Sequence, residues 1–565
     1  MHLVAILEAR LGAAFAAVAG EPVDPALRRS QRADFQADGA LRLARTLGRP
    51  PRDVASEVLA HDPLDDLCTR AEIAGPGFVN LRLRDDVLST MVTAMAGDER
   101  LGVAAVKPET VVVDYSAPNA AKEMHVGHLR STIIGDAIVR LLGWLGHRVI
   151  RQNHLGDWGT PFGMLVEHLI DTGDAAARAN GTLGELSDFY RAARRKFDDD
   201  EEFRERARRR VVALQAGDER TRELWRSLVD RSIAYFGEVY ARLDVTLTPA
   251  DVAGESGYDE LLGPVADELD RLGLLRESGG AWCVFPAGFT NRGGEPLPLI
   301  VRKADGGYGY DATDLAAIRY RITDLGATRL LYVVGTPQRE HFRMVFQAAR
   351  EAGWLTEGVR AEHVGFGSVL GTDGKMLRTR AGETVRLAAL LDEAVARAAE
   401  QVRERHADEA VARAVGVGAV KYADLSTDRM RDYTFDYDRM LAFDGNTGPY
   451  LQYAHARIRS IFRRAGADPA EPGGVRITEP AERELALALL GLPAVVAEVG
   501  ESLEPHRLCA YLYGLAGAFT TFYESCPVLR AEPEVRASRL ALCALTARTL
   551  ALGLDLLGIA APERM

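Results

Sequence analysis

TVVVDYSAPNAAKEMHVGHLRSTIIGDAIVRLLGWLGHRVIRQN, residues 110–153, is the stretch from which the fold can be read. TVVVDY, 110–115, is short and continuously apolar, as a strand buried on both faces must be, and RVIRQN, 148–153, resumes as a second strand. Between them Leu129, Ile133, Ile134, Ile138, Leu141, Leu142 and Leu145 recur on one face of a helical period, and Gly146 stands where a helix ends in a left-handed residue. Strand, helix, strand is a βαβ unit. Sheets built of such units bind nucleotides at the carboxyl ends of their strands, where the polar stretch 116–128 lies.

Outward from this unit, LPLIVRK (297–303), a helix from Asp311 to about Asp324, and RLLYVVG (329–335) are expected to form the other half of a doubly wound sheet. Between the halves, at about 165–290, lies a charged and mostly helical insertion. Its run FDDDEEFRERARRR, 197–210, is expected to be a solvated helix, with RNA contact as the alternative. Residues 1–105 have a helical pattern and close on AGPGFVNLRL, a strand after a Gly-Pro-Gly turn. From about 405 onward the pattern is helical almost throughout. At 565 residues the chain exceeds what one core organises, and three domains are expected, at 1–105, 106–435 and 436–565.

Five cysteines without Cys-x-x-Cys spacing argue against a disulfide framework or zinc ribbon and fit a reducing cytoplasm. The opening MHLVAILEARLGAAFAAVAG reads as an amphipathic helix because Glu8 and Arg10 interrupt its apolar run. No uncharged apolar run approaches the roughly twenty residues that span a bilayer, so no membrane partner is expected. A net charge of −12 speaks at face value against a polyanionic partner, but RNA binding depends on where the arginines sit.

Residues 116–136 lack the glycine patterns of a dinucleotide site or a P-loop and carry His125-Val-Gly-His128 instead. Two imidazoles at a helix start can donate to phosphate oxygens, and Gly127 would let a ribose or base approach the backbone. A metal site or a pair of exposed histidines are the alternatives, although a zinc site would usually supply a third ligand. The longer string SAPNAAKEMHVGHLRSTIIGDAIVRLL with RQNHLGDWGTPFGML, 151–165, closely resembles arginyl-tRNA synthetases, in which H-x-G-H is the HIGH motif. The resemblance continues through DGGYGYDATDLAA and DGKMLRTRAGETV to the final LGIAAPERM.

That resemblance implies an α/β protein: a class I Rossmann-type catalytic domain with a helical insertion, a small α+β N-terminal domain and an all-α anticodon-binding domain. It implies activation of L-arginine by ATP, with Mg2+ accompanying the ATP and no protein-bound metal. Transfer to the 2′-hydroxyl of the terminal adenosine of tRNA(Arg) would follow, catalysed by a monomer. The loop 371–383 resembles KMSKS, with Lys375 and Met376 in place but Arg378 where the second lysine is expected, and resemblance assigns part of that role to Lys122. His125, His128, Lys122, Lys375 and Arg378 are thus the expected catalytic set, with Gly127 and Met376 added at the ATP site.

A guanidinium requires carboxylates, and resemblance points to Asp114 and Asp314, with Tyr310 against the side chain and Asn119 and Gln338 at the α-amino and α-carboxylate ends. Helix or turn capping is the alternative for either aspartate. Tyr450, Tyr453 and Arg457, in FDGNTGPYLQYAHARIRSIFRR, combine stacking faces with cations as an unstacked RNA loop requires, though a helical core with a solvated face has the same pattern. Phe78 and Asn80 resemble contacts to the D-loop of the tRNA.

Overall fold

The computed structural model describes residues 3–30, 32–173, 183–378, 384–403, 408–468 and 473–565. β1 (Thr110–Asp114), α1 (Val126–Leu145) and β2 (Arg148–Gln152) form the expected βαβ unit. α2 (Tyr310–Thr323), β3 (Arg329–Tyr332), α3 (Arg339–Glu351) and β4 (Arg360–His363) complete the layer. The sheet runs β4-β3-β1-β2 with every pair parallel, and Asp114 stands level with Tyr332 on one side and Gln152 on the other. This register sets three polar side chains in a row at the carboxyl edge.

LPLIVRK does not belong to this sheet. Its Leu299–Arg302 strand pairs antiparallel with Ala281–Val284, which pairs with Leu275–Ser278. Leu299 and Val301 are buried while Ile300 and Arg302 are exposed, the alternation of a strand covered on one face only. The fourth parallel strand, Arg360–His363, is an edge strand of sequence RAEH, too polar to be seen by its hydropathy.

The charged run 197–210 is two helices, not one. Asp200 accepts from the N–H of Phe203 and starts the helix Glu201–Gln215. That helix is also not solvated all round, because Phe203 and Ala207 are buried and Arg206 reaches Glu167 and Asp171 at 2.8 Å each. Part of the insertion, 174–182, lies outside the described residues.

The N-terminal domain is more sheet than its helical pattern suggests: Leu27–Arg29, Phe35–Ala37, Phe78–Leu83 and Cys68–Ala74 form a four-stranded antiparallel sheet in that order. The first two are only three residues long, too short for a period to show. The opening helix Leu3–Ala19 buries Leu3, Leu7, Leu11, Ala14 and Phe15, the expected apolar stripe. At the other end the helices Gly448–Ala465, Pro480–Leu489, Leu492–Ser502, Pro505–Ser525 and Pro533–Leu556 each begin with a proline in the first two positions, where a missing N–H costs no hydrogen bond. By length and hydropathy alone the segments Pro480–Ser502 and Pro533–Leu556 could cross a bilayer, but 56% and 67% of their most apolar windows are buried within the protein, as in core helices. The two ends of the chain touch: Arg483 pairs with Asp34 and Asp85 and donates to the Leu83 carbonyl at 2.9 Å.

Candidate active site

The loop from β1 to α1 holds three non-glycine residues in the left-handed region, Ser116, Ala117 and Ala121, with φ of 72°, 48° and 61°. Such backbone costs on the order of 1 kcal/mol or more per residue and persists only where its surroundings over-determine it. They do here. The Ser116 N–H donates to Ser131 Oγ at 2.9 Å, Ser116 Oγ lies 2.8 Å from the Tyr240 hydroxyl, and Asn153 Nδ2 donates to that hydroxyl at 2.9 Å. The Ala121 and Met124 N–H groups donate to Ser232 Oγ and the Tyr235 hydroxyl, at 2.8 and 3.0 Å. Three of these partners, Tyr240, Ser232 and Tyr235, lie on the long insertion helix Glu219–Leu243, which braces the loop.

His125 caps α1. Its Nδ1 accepts from the Gly127 N–H at 3.0 Å, and His128 Nδ1 accepts from the His125 N–H at 3.1 Å. An imidazole that accepts at Nδ1 carries its proton on Nε2, so these bonds assign one tautomer to both rings. Burial pushes both below the usual histidine value, with the Lys122 charge adding to the effect, and His128 is pushed down to about 3. Both rings are therefore neutral at neutral pH and present an Nε2–H donor at a helix N-terminus. A Cβ at Gly127 would lie 2.7 Å from His125 Cε1, so the glycine makes room for the capping ring.

The second loop is a tight turn in which the Gly371 N–H donates to the Lys375 carbonyl at 2.7 Å and Gly374 adopts φ of 72°. Lys375, Met376 and Arg378 are exposed on it and line a cleft of about 830 Å³ together with Arg397, Phe435 and Tyr437. The rest of the expected loop, 379–383, lies outside the described residues. Its outgoing arm is stitched to the first motif. Val126 donates to the Val385 carbonyl at 2.9 Å, Leu387 to that of Met124 at 3.0 Å, and Arg386 pairs with Glu123 at 3.0 Å.

At the carboxyl edge Tyr310 opens α2 with 68% of its surface exposed, its ring 5.3 Å from that of His341. Asp314, one turn on, accepts from His341 Nε2–H at 2.6 Å. Burial alone would push His341 down, but the hydrogen bond and charge of Asp314, with Asp311, outweigh it and raise it. Asn119 is exposed and packs so closely on Gly156 that a Cβ there would meet its Oδ1 at 2.3 Å; Gln338 is exposed before α3.

Asp114 is neither a cap nor an open carboxylate. Its Oδ2 accepts from Arg321 Nη2 at 2.8 Å, and Arg321 is 1% exposed, with Nε on Gln152 Oε1 at 2.5 Å and its guanidinium 4.9 Å from the Tyr332 ring. Among the described residues, the guanidinium that meets Asp114 is that of Arg321. Two further acids are absent from the sequence reading. Glu255 is pushed up to about 7 by burial and by the charges of Asp157 and Asp314, and burial also raises Asp157 despite its bonds to Ser256. Nothing in the periodicity of Gly254-Glu255-Ser256 marks it, because it opens a 3-10 helix of only four residues, Glu255–Tyr258.

Residues 90–437 match the tRNA synthetases class I (R) catalytic domain, 451–565 the DALR anticodon binding domain and 2–83 the arginyl tRNA synthetase N terminal domain. The Arginine--tRNA ligase of Thermobifida fusca is 58% identical, over 99% of this chain and 98% of its own. This chain belongs to the arginyl-tRNA synthetases. The arginyl-tRNA synthetase of Plasmodium falciparum superposes with a TM-score of 0.87 at 29% identity, covering 99% of both chains, and that of Thermus thermophilus with 0.84 at 27%, covering 100% of both. The synthetase is an α/β class I ligase that charges tRNA with arginine through an arginyl adenylate.

On the synthetase's helix Gly448–Ala465, Leu451, Gln452, Ala454, His455 and Ile458 are buried, which leaves Tyr450, Tyr453 and Arg457 on the outer face. The neighbouring helix adds two rings the sequence reading missed: Tyr513 lies 5.6 Å from Tyr450, and Arg457 stands 4.7 Å over Tyr523. Phe78 is half-buried at its strand's start. Asn80, by contrast, is 6% exposed between Gln36 and Glu72 in mid-sheet, which argues against a direct RNA contact through its side chain.

Proposed function

We propose that the arginine guanidinium sits between Asp314 and Glu255, with Tyr310 along the side chain and Asn119 and Gln338 at the α-amino and α-carboxylate ends. What supports this is Asp314, which meets His341 at 2.6 Å one turn from the exposed Tyr310, together with Glu255, which burial and the charges of Asp157 and Asp314 push up to about 7. A site so rich in buried acid favours a cation. Asp114 contributes its field from behind, shared with Arg321.

ATP, with its Mg2+, would lie across HVGH, Gly127 and the loop bearing Lys375, Met376 and Arg378. The arginine carboxylate attacks the α-phosphorus in line and pyrophosphate leaves, after which the 2′-hydroxyl of the terminal adenosine takes the arginyl group and AMP leaves. No protein nucleophile is needed, and catalysis comes from positioning and from donors aimed at growing negative charge: His125, His128, Lys122, Lys375 and Arg378. Domains at 1–105, 106–435 and 436–565 belong to the same reading, with Phe78 and the face of Tyr450, Tyr453 and Arg457 toward tRNA. A monomer working in the cytoplasm is part of it too, the reducing compartment being supported by five cysteines that are all unpaired and buried.

His125→Ala and His128→Ala should each lower single-turnover adenylate formation by on the order of a hundredfold, about 3 kcal/mol, with much smaller changes in ATP binding. Rates within about threefold of the parent would remove the histidines from the mechanism. Glu255 supplies a pH test. A guanidinium favours the ionised carboxyl, so arginine binding should release a proton, and affinity for arginine should strengthen as pH rises through about 7. His341, raised by Asp314, loses its charge in the same direction. Titration calorimetry in two buffers should therefore detect fewer protons released by Glu255→Gln than by the parent; equal release would clear Glu255 of contact with the substrate.

A further inference from the structure

Lys122 stands three residues before the first histidine of HVGH, and it forms no ion pair among the described residues. Its ammonium lies 4.7 Å from the centre of the Tyr190 ring instead. Tyr190 belongs to the insertion, on the helix Leu183–Asp199. That helix is held in place by Lys196, which pairs with Asp171, and by Phe189, whose ring lies 4.8 Å from that of His168 on the helix Thr160–Thr172. From the other side, the left-handed Ala121 and the bonds of Ala121 and Met124 to Ser232 and Tyr235 fix the direction in which the Lys122 side chain leaves the backbone. The Lys122 charge is felt at both imidazoles, where it adds to burial in holding them neutral.

An aromatic ring and a carboxylate hold an ammonium in different ways. A carboxylate cancels the charge and must be displaced before a phosphate can use it, whereas the ring's quadrupole attracts the cation and leaves its net charge intact. We infer that Tyr190 is a positioning residue of the ATP site, holding the Lys122 ammonium against its ring face so that the charge is presented, uncancelled, to the triphosphate beside His125 and His128. The insertion thereby supplies a working part of the nucleotide site. The inference rests on the proposed phosphate role of Lys122, and the test separates the two.

In the full-length enzyme, with tRNA, arginine and ATP present, single-turnover adenylate formation is measured for Tyr190→Leu, Tyr190→Phe, Lys122→Met and the double variant Tyr190→Leu/Lys122→Met. Loss of the ring should slow the Tyr190→Leu reaction roughly 3- to 30-fold, with half-saturation for arginine unchanged, while Tyr190→Phe, which keeps the face, stays within about twofold of the parent. In the Lys122→Met background Tyr190→Leu should have no further effect, because the group it positions is gone. If Lys122→Met is impaired and Tyr190→Leu is not, the positioning role fails and the phosphate role stands. If Lys122→Met itself stays within about twofold, the reading beneath it fails. An equal loss from Tyr190→Leu with and without Lys122 would mean that the ring only supports the insertion. Should Tyr190→Leu lose its cooperative thermal transition, Tyr190→Gln, which suits a half-exposed helix position, takes its place in the same comparison.

Discussion

Asp314→Asn will lower kcat/KM for arginine by about 2 to 5 kcal/mol, roughly thirty- to several-thousandfold, the cost of leaving one member of a buried charge pair without its partner. The amide keeps the shape and can still meet His341, whose Nε2 lies 2.6 Å from the carboxylate, so the loss comes from charge and not from collapse of the pocket. The same argument predicts selectivity. Citrulline is nearly isosteric with arginine but neutral, and the parent should reject it by several orders of magnitude, as sites built on buried polar groups reject analogues that leave them unpaired. In Asp314→Asn that discrimination should shrink, because an uncharged side chain no longer strands a carboxylate. The kcat/KM values for arginine and citrulline in both proteins decide the matter, and an unchanged ratio would locate the guanidinium elsewhere.

Asp114→Asn should behave in another way and fail first in stability. Arg321 is 1% exposed, and its ion pair with Asp114 ties the end of β1 to α2 from inside the protein. Removing one partner of such a pair leaves a buried charge uncompensated, at a cost of about 3 to 5 kcal/mol. Gln152 and the Tyr332 face remain as contacts, but neither carries a negative charge at neutral pH. Denaturant unfolding followed by the near-ultraviolet signal of the catalytic domain measures the loss. Adding Arg321→Met to Asp114→Asn should recover a good part of it, since removing both charges also removes the desolvation burden. A single variant as stable as the parent would show that Arg321 is held by its other contacts, and would return Asp114 to the substrate's side of the pocket.

These two aspartates mark where the sequence stops informing. The continuous apolar run and helical period of 110–153 determined the βαβ unit, and with it the carboxyl edge where a nucleotide site must lie, because burial on both faces of a strand and on one face of a helix leaves a local pattern. The long motif string determined the family. Where the pattern is erased by exposure the reading failed: Leu299–Arg302 is apolar yet half-exposed and sits in a separate sheet, while the polar Arg360–His363 is a strand of the main one. Leu27–Arg29 and Phe35–Ala37 were too short to carry any period.

Residue types alone named Asp114 and Asp314 as equals, and only the tertiary structure distinguished them. One faces Arg321, which is 207 positions away in the chain, and the other meets His341 and lies within reach of the charge of Glu255. The tautomer shared by His125 and His128 follows from backbone N–H groups that exist in that arrangement only once α1 has formed. Sequence determines the local preferences, because they depend on neighbours in the chain. Which guanidinium a carboxylate meets depends on neighbours in space, and the packing of β1, α2 and the insertion decided it.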